Sequence, residues 1–167
     1  MRKIKHAGLI LFTTGTTGAP KAIIHDFLPF IARYKTPRPT LKAISFLLFD
    51  HIGGLNTLFH MLFNRGTVIS IKNRTVKNVL ETCKRHQIEL LPTTPTFLRM
   101  LSLQTNLKKI FPKSIKIIST RNHEEIYNLE TLINTSKDLQ DKNLEFLLTI
   151  AGYGSQTDIL IKKSKNL

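Results

Sequence analysis

Gly8-Leu9-Ile10-Leu11-Phe12-Thr13-Thr14-Gly15-Thr16-Thr17-Gly18-Ala19-Pro20-Lys21-Ala22-Ile23-Ile24-His25 places a strand-like apolar run, a Thr/Gly loop closed by a lysine and a second short apolar run in direct succession. Glycine lets backbone N–H groups turn toward an anion with no Cβ in the way. The hydroxyls of Thr13, Thr14, Thr16 and Thr17 add donors, and Lys21 adds a point charge suited to phosphate. The general phosphate loop, G-x-x-x-x-G-K-[ST], also puts a lysine at this distance from Gly15. It requires a glycine where Pro20 stands, a Mg²⁺-binding hydroxyl where Ala22 stands, and a helix afterwards. The stretch therefore reads as a phosphate-binding loop between two strands, with no helix beginning at Lys21 or Ala22.

Working outward, apolar runs alternate with helical patterns. Ala43 to Phe49 reads as a buried strand ending at Asp50. Gly53 and Gly54 precede Leu55, Leu58, Phe59 and Leu62, which fall on one helical face, and Gly66 follows where a helix stop belongs. Thr67 to Ile71 is a β-branched strand. Thr75 caps a helix whose apolar positions are Val76, Val79, Leu80 and Cys83. Ile88 to Leu91 is a strand stopped by Pro92, and Pro95 opens a helix carrying Phe97, Leu98 and Leu101. Ile115 to Ile118 is a strand, Glu124 to Leu139 a polar helix, and Leu144 to Ile150 a last strand. Strands separated by helices predict an α/β fold around a largely parallel sheet. A chain that begins at a strand and stops just after one reads as an incomplete domain.

The 167 residues suit one domain or a piece of a larger one. Apolar residues make up 41%, which excludes wholesale disorder. No apolar window is long enough to cross a membrane. The single Cys83 cannot form an internal disulfide, and Met1 to Gly8 lacks the apolar core of a signal peptide, so a cytoplasmic location is expected. The formal charge of +14 favours anionic partners, but the lysines are dispersed from Lys3 to Lys165. No His/Cys/Asp/Glu cluster has the spacing of a zinc site.

Gly15 to Lys21 resembles the phosphate-loop signature of the adenylate-forming superfamily, the acyl-CoA synthetases, peptide-synthetase adenylation domains and luciferases. That signature is Gly-[Ser/Thr]-Thr-Gly-x-Pro-Lys after a Ser/Thr-rich lead, and every position is met. Phe49-Asp50-His51-Ile52-Gly53-Gly54-Leu55 resembles the family's second landmark, an aromatic or His before a glycine pair that opens a helix. The resemblance implies an acyl-substrate pocket at His51, Gly53 and Gly54, and ATP-phosphate contacts at Thr13, Thr14, Gly15, Thr16, Thr17, Gly18 and Lys21. Leu90 to Leu98 resembles the strand–Pro–helix stretch of the same domain.

Two later landmarks depart from the pattern. Ser119-Thr120-Arg121-Asn122-His123-Glu124 contains no glycine where the family has its adenine-facing turn. Gly152 to Asp158 resembles the Tyr-Gly-x-[Thr/Ser]-Glu turn with one residue extra. It implies adenine and α-phosphate contacts at Tyr153, Gly154 and Thr157, and a Mg²⁺-holding acid at Asp158. The family's ribose-site Asp, hinge and C-terminal domain do not follow.

The expectation is that residues 1–167 form a partial AMP-binding domain, an internal piece of the large N-terminal domain without the C-terminal one. Its intact family uses ATP and Mg²⁺ to activate a carboxylate, a fatty or other organic acid, and then transfers it to a thiol such as coenzyme A. No catalytic residue is assigned, and the chain alone is expected to be weak or inactive. Two alternatives accompany this reading. One is a non-catalytic remnant or split-gene subunit that binds nucleotide phosphates or a partner chain. The other is a basic nucleic-acid-binding module, against which stand the dispersed lysines and the lack of an aromatic-and-basic motif.

Overall fold

A computed structural model describes residues 7–13, 21–111, 115–120, 129–151 and 157–164. The chain opens with β1 (Gly8–Thr13) and β2 (Lys21–Asp26), which pair antiparallel and form a separate two-stranded sheet. A short helix, α1 (Phe27–Ala32), and a 3-10 turn at Arg33–Lys35 follow. Then strands and helices alternate as β3 (Lys42–Ser45), α2 (Ile52–Phe63), β4 (Thr67–Ser70), α3 (Val76–His86), β5 (Leu90–Thr93) and α4 (Pro95–Ser102). The single turn α5 (Leu107–Ile110), β6 (Ile115–Thr120), α6 (Leu129–Asp141), β7 (Phe146–Ala151) and α7 (Thr157–Ser164) complete the order.

The five strands β3 to β7 form one parallel sheet in the order β4-β3-β5-β6-β7. The chain steps one way from β3 to β4, then crosses back and winds the other way through β5, β6 and β7. Parallel crossovers are right-handed, so this reversal sends α2 to one face and the later helices to the other. The core follows that division. Val79, Leu80 and Cys83 of α3, Phe97, Leu98 and Leu101 of α4, and Leu132 and Leu139 of α6 pack on Ile44, Leu91, Ile115 and Ile117. On the opposite face Met61 of α2 packs on Ala43 and Leu90.

Local chemistry sets the boundaries. Thr75 accepts a hydrogen bond from the Asn78 N–H and Thr94 one from the Phe97 N–H, so each caps the helix it precedes. Pro95 occupies the first turn of α4, where its missing N–H is harmless. Gln87 takes a left-handed conformation, φ 53°, and the Ile88 N–H then reaches the Cys83 carbonyl to close α3.

Four details differ from the sequence reading. β3 ends at Ser45, and Leu48 and Phe49 are exposed, because the chain must turn there to start α2. Pro92 lies inside β5, opposite Ile118 of β6. The β3–β5 ladder is limited to Ala43 opposite Leu90, so Pro92 interrupts no bond on that side. The turn after α2 is made by Arg65, φ 56°, with Gly66 next to it donating its N–H to Met61. Gly66 is needed for space, since a Cβ there would lie 2.8 Å from the Leu41 carbonyl oxygen. Finally, α7 follows β7 and packs Leu160 on Ile133 of α6.

The hairpin is fastened to α2 by aromatic contacts. The ring of Phe59 lies 5.9 Å from Phe27, 5.8 Å from Phe30 and 5.7 Å from Tyr34. Tyr34 donates its hydroxyl to Asn56 Oδ1 at 2.8 Å, and the Arg33 guanidinium sits 4.3 Å over the Phe30 ring. The other side of the hairpin is bare. Ile10 stands opposite Ile24 and Phe12 opposite Ala22, and all four are exposed.

Three stability predictions follow from this packing. A Cβ on Gly54 would lie 1.9 Å from the Leu48 carbonyl oxygen, so helix and loop backbones must separate to admit one. Gly54→Ala should cost about 2–3 kcal/mol in urea unfolding; a change below about 0.5 kcal/mol would show that the 47–50 turn yields freely. Burial pushes the Cys83 thiol up to about 12. Ellman's reagent at pH 8 should therefore leave the native protein unmodified and titrate one thiol after unfolding. The His60 imidazole, packed 6.3 Å from the Tyr34 ring, is held below the ordinary histidine range by burial and then by Arg38. A depressed folded pKa means that the unfolded chain binds the proton more readily. The contribution of His60 is complete above about pH 6.5 and lost as pH falls below it. Unfolding midpoints should drop between pH 7.5 and 5.5, and His60→Gln should flatten that slope; an unchanged slope would remove His60 as its source.

Candidate functional site

The register of the hairpin places Thr13, the last residue of β1, directly opposite Lys21, the first of β2. The two ends of the Thr/Gly loop are thus held side by side, with Lys21 exposed. A strand begins at Lys21 and no helix begins at Lys21 or Ala22, as the strand–loop–strand reading requires. Thr14, Gly15, Thr16, Thr17 and Gly18 lie outside the described residues. The exit from the hairpin is fixed by the Phe27 N–H donating to the Ala7 carbonyl at 3.0 Å, and by Asp26, which caps α1 by accepting from the Leu28 N–H at 3.2 Å.

The second landmark sits at the start of α2, at the carboxyl edge of the parallel sheet. His51 is the N-cap residue. Its carbonyl accepts from the Leu55 N–H at 3.1 Å, and its N–H donates to the Leu48 carbonyl at 3.3 Å. The imidazole does no capping: it is 56% exposed, with Nε2 3.8 Å from Asp50 Oδ1. A backbone committed to the helix start and a ring free of it leave the imidazole available at this edge. Gly53 accepts from the Thr57 hydroxyl at 3.0 Å. Gly54 is buried against the Leu47–Leu48 backbone, so at least half of the glycine pair is explained by packing. The structure brings His51, Gly53 and Gly54 together on one helix start.

The same edge holds two residues that sequence reasoning missed. Thr93 and Ser119 are register partners at the carboxyl ends of β5 and β6, and both are buried. Among the described residues neither Thr93 Oγ1 nor Ser119 Oγ has a hydrogen-bond partner. A buried unpaired polar group costs about 1–3 kcal/mol, so such groups call for a reason. The available signal was the period of two: Leu91 and Ile117 face the core, and the next residue on the same face of each strand is a hydroxyl. Beside them, the ring of Phe46, just past β3, lies 4.4 Å from Phe97 in α4. Arg74 donates from Nε to the Phe46 carbonyl at 2.6 Å, tying the loop after β4 to the end of β3.

Tyr153 and Gly154 lie outside the described residues. Thr157 and Asp158 are not in a turn; they form the first turn of α7, with Asp158 exposed. An acid in this turn suits the helix dipole on its own account. No group of three or more His, Cys, Asp or Glu among the described residues could hold a metal ion, so the geometry offers Asp158 as a single ligand. Mg²⁺ beside a nucleotide is held by one or two carboxylates together with phosphate oxygens and water, so a single carboxylate here fits that donor set. Elsewhere, a groove of about 760 Å³ between β4 and α3 is lined by Lys72, Lys84, Arg85 and His86 against Glu81, and it includes none of the landmark residues.

Known proteins share the fold of this chain. Over 116 residues the chain is 28% identical to the 2-succinylbenzoate–CoA ligase of Bacillus subtilis, covering 65% of this chain and 23% of that protein. The inhibitor-bound N-terminal domain of FACL13 from Mycobacterium tuberculosis superposes with a TM-score of 0.67 at 19% identity, over 90% of this chain and 38% of that one. ATP-bound MatB from Rhodopseudomonas palustris superposes with a TM-score of 0.63 at 22% identity, over 86% of this chain and 28% of that one. The chain thus spans less than a quarter of the curated ligase and about a third of these structures. Residues 3–154 match the profile of the AMP-binding enzymes, and the chain belongs to that family.

Proposed function

We propose that this chain is the phosphate-loop and acyl-pocket portion of an adenylate-forming ligase domain. In that reaction a carboxylate oxygen attacks the α-phosphorus of ATP, an acyl-adenylate forms and pyrophosphate leaves; a thiol such as coenzyme A then attacks the acyl carbon, loses its proton and displaces AMP. The observation that carries the reading is the Thr13–Lys21 register in a chain of this family. It fixes the two ends of a hydroxyl- and glycine-rich loop at one place, with a cation at its exit.

The residues then divide the work. Thr13, Thr14, Gly15, Thr16, Thr17, Gly18 and Lys21 would hold the triphosphate through N–H groups, hydroxyls and one ammonium, which stabilises charge on the departing phosphates. His51, Gly53 and Gly54 would border the carboxylate, a fatty or other organic acid. Tyr153, Gly154 and Thr157 would approach the adenine and α-phosphate. Asp158 would supply a carboxylate to Mg²⁺, the triphosphate and water completing its shell. The buried thiol of Cys83 suits a reducing, cytoplasmic setting. We take residues 1–167 as one partial AMP-binding domain, weak or inactive alone.

Phosphate contacts should dominate nucleotide binding. ATP and tripolyphosphate should bind with similar affinity by calorimetry, and Lys21→Ala should weaken both by about tenfold or more, the loss of one charge-assisted bond. ATP binding far more tightly than tripolyphosphate would instead locate a strong adenine site. The 167-residue chain should show no carboxylate-dependent exchange of pyrophosphate into ATP; robust exchange abolished by Lys21→Ala would establish that this portion suffices for the chemistry.

A further inference from the structure

β4 is the outer strand of the parallel sheet, at the end away from β6 and β7. The Thr67 N–H donates to the Leu41 carbonyl, so Thr67 and, two residues on, Ile69 turn their backbone groups toward β3. Val68 and Ser70 turn theirs outward. Among the described residues no strand meets them. A free edge of this kind accepts an added strand. At Ser70 the edge enters the groove of about 760 Å³ between β4 and α3. Lys72 lines the groove from the strand side, and Lys84 and Arg85 line it from the helix. Among the described residues that line it, Glu81 is the one carboxylate.

All four charged side chains are exposed. Among the described residues none of the three cations makes an ion pair. Glu81 pairs with neither Lys84 nor Arg85, although both lie within one helical turn of it. The helix dipole accounts for cations in the last turn of α3, but not for Lys72. From His51 to Leu80 the sequence holds no Asp or Glu to offset them. Shape and charge then choose the occupant. The helical wall of the groove runs from Asn78 to His86, about 12 Å along α3. That is too long for one phosphate group, and about four residues of extended chain span it. A second copy of this chain would bring the same cations to the same edge, and like charges on paired strands repel. We propose that the β4 edge docks an extended acidic peptide. Its backbone pairs with Val68 and Ser70, and carboxylates from alternate residues meet Lys72, Lys84 and Arg85. This site lies apart from the phosphate loop and from His51, and it needs no nucleotide.

The probe is a capped hexapeptide alternating valine and glutamate, titrated at low salt into the isotope-labelled full chain and followed by amide NMR. The Val68 and Ser70 amide signals should shift, and at saturation their hydrogen exchange should slow by about tenfold or more. The Lys72→Gln, Arg85→Gln double variant should bind the peptide about tenfold more weakly, the loss of two exposed ion pairs. Raising the salt to about 0.15 M should weaken binding to the unmodified chain as well. The same peptide N-methylated throughout keeps every charge but cannot donate to a strand, and it should not bind. Equal binding of the N-methylated peptide would overturn the proposal, because charge alone would then hold the anion. Equal binding of a peptide with lysine in place of glutamate would overturn it too. So would shifts confined to Lys21–Asp26 and the start of α2, or no shift at millimolar peptide.

Discussion

The reversal of winding at β3 is the constraint on which the arrangement depends. Because crossovers keep one hand, a chain that steps from β3 to β4 and then back to β5 must place α2 and α3 on opposite faces. The reversal parts the connections at the carboxyl ends of β3 and β5. Into that parting come the start of α2 with His51, the end of β3 with Phe46, and the ends of β5 and β6 with Thr93 and Ser119. Gly54 makes it possible locally, since only a residue without a Cβ lets the first turn of α2 press against the Leu47–Leu48 backbone.

The hairpin reaches this scaffold by other means. Among the described residues it shares no strand pairing with the parallel sheet. Its position relative to α2 rests on the rings of Phe27, Phe30, Tyr34 and Phe59 and on the Tyr34–Asn56 hydrogen bond. Aromatic pairs of this kind each contribute about 0.5–1.5 kcal/mol beyond area burial. A phosphate loop carried on a hairpin and fixed by stacked rings is thus coupled to the sheet through side chains rather than through backbone ladders.

Much of this was legible in the residues. The i, i+3, i+4 spacing of Val76, Val79, Leu80 and Cys83 gave α3 its inner face, and Thr75 and Pro95 marked helix starts where helices start. The Gly15–Lys21 signature pointed to the family that the profile match identifies. The misses share a cause, because each was decided by tertiary context. Pro92 looked like a strand stop, yet it is tolerated because the β3 ladder ends before it. Arg65, rather than Gly66, takes the left-handed turn, while Gly66 answers a steric demand from Leu41. α1 has only six residues, too few for a period to show, and depends on Asp26 and its aromatic contacts. Thr93 and Ser119 carry no motif; only the pairing of their strands shows that two hydroxyls share one buried spot.

The bare side of the hairpin has a consequence for how the chain behaves in solution. Ile10, Phe12, Ala22 and Ile24 make a narrow apolar ribbon on a two-stranded sheet, the kind of surface that adheres to its own copies. A formal charge of +14 opposes that adhesion by holding molecules apart. The two forces differ in range and in their response to salt. Repulsion extends roughly 30 Å at 0.01 M ionic strength and only about 8 Å at 0.15 M, whereas hydrophobic contact is not screened at all. Colloidal stability of this chain is therefore electrostatic in origin. It weakens with added electrolyte and returns on dilution into low salt, independently of how firmly the fold itself is held.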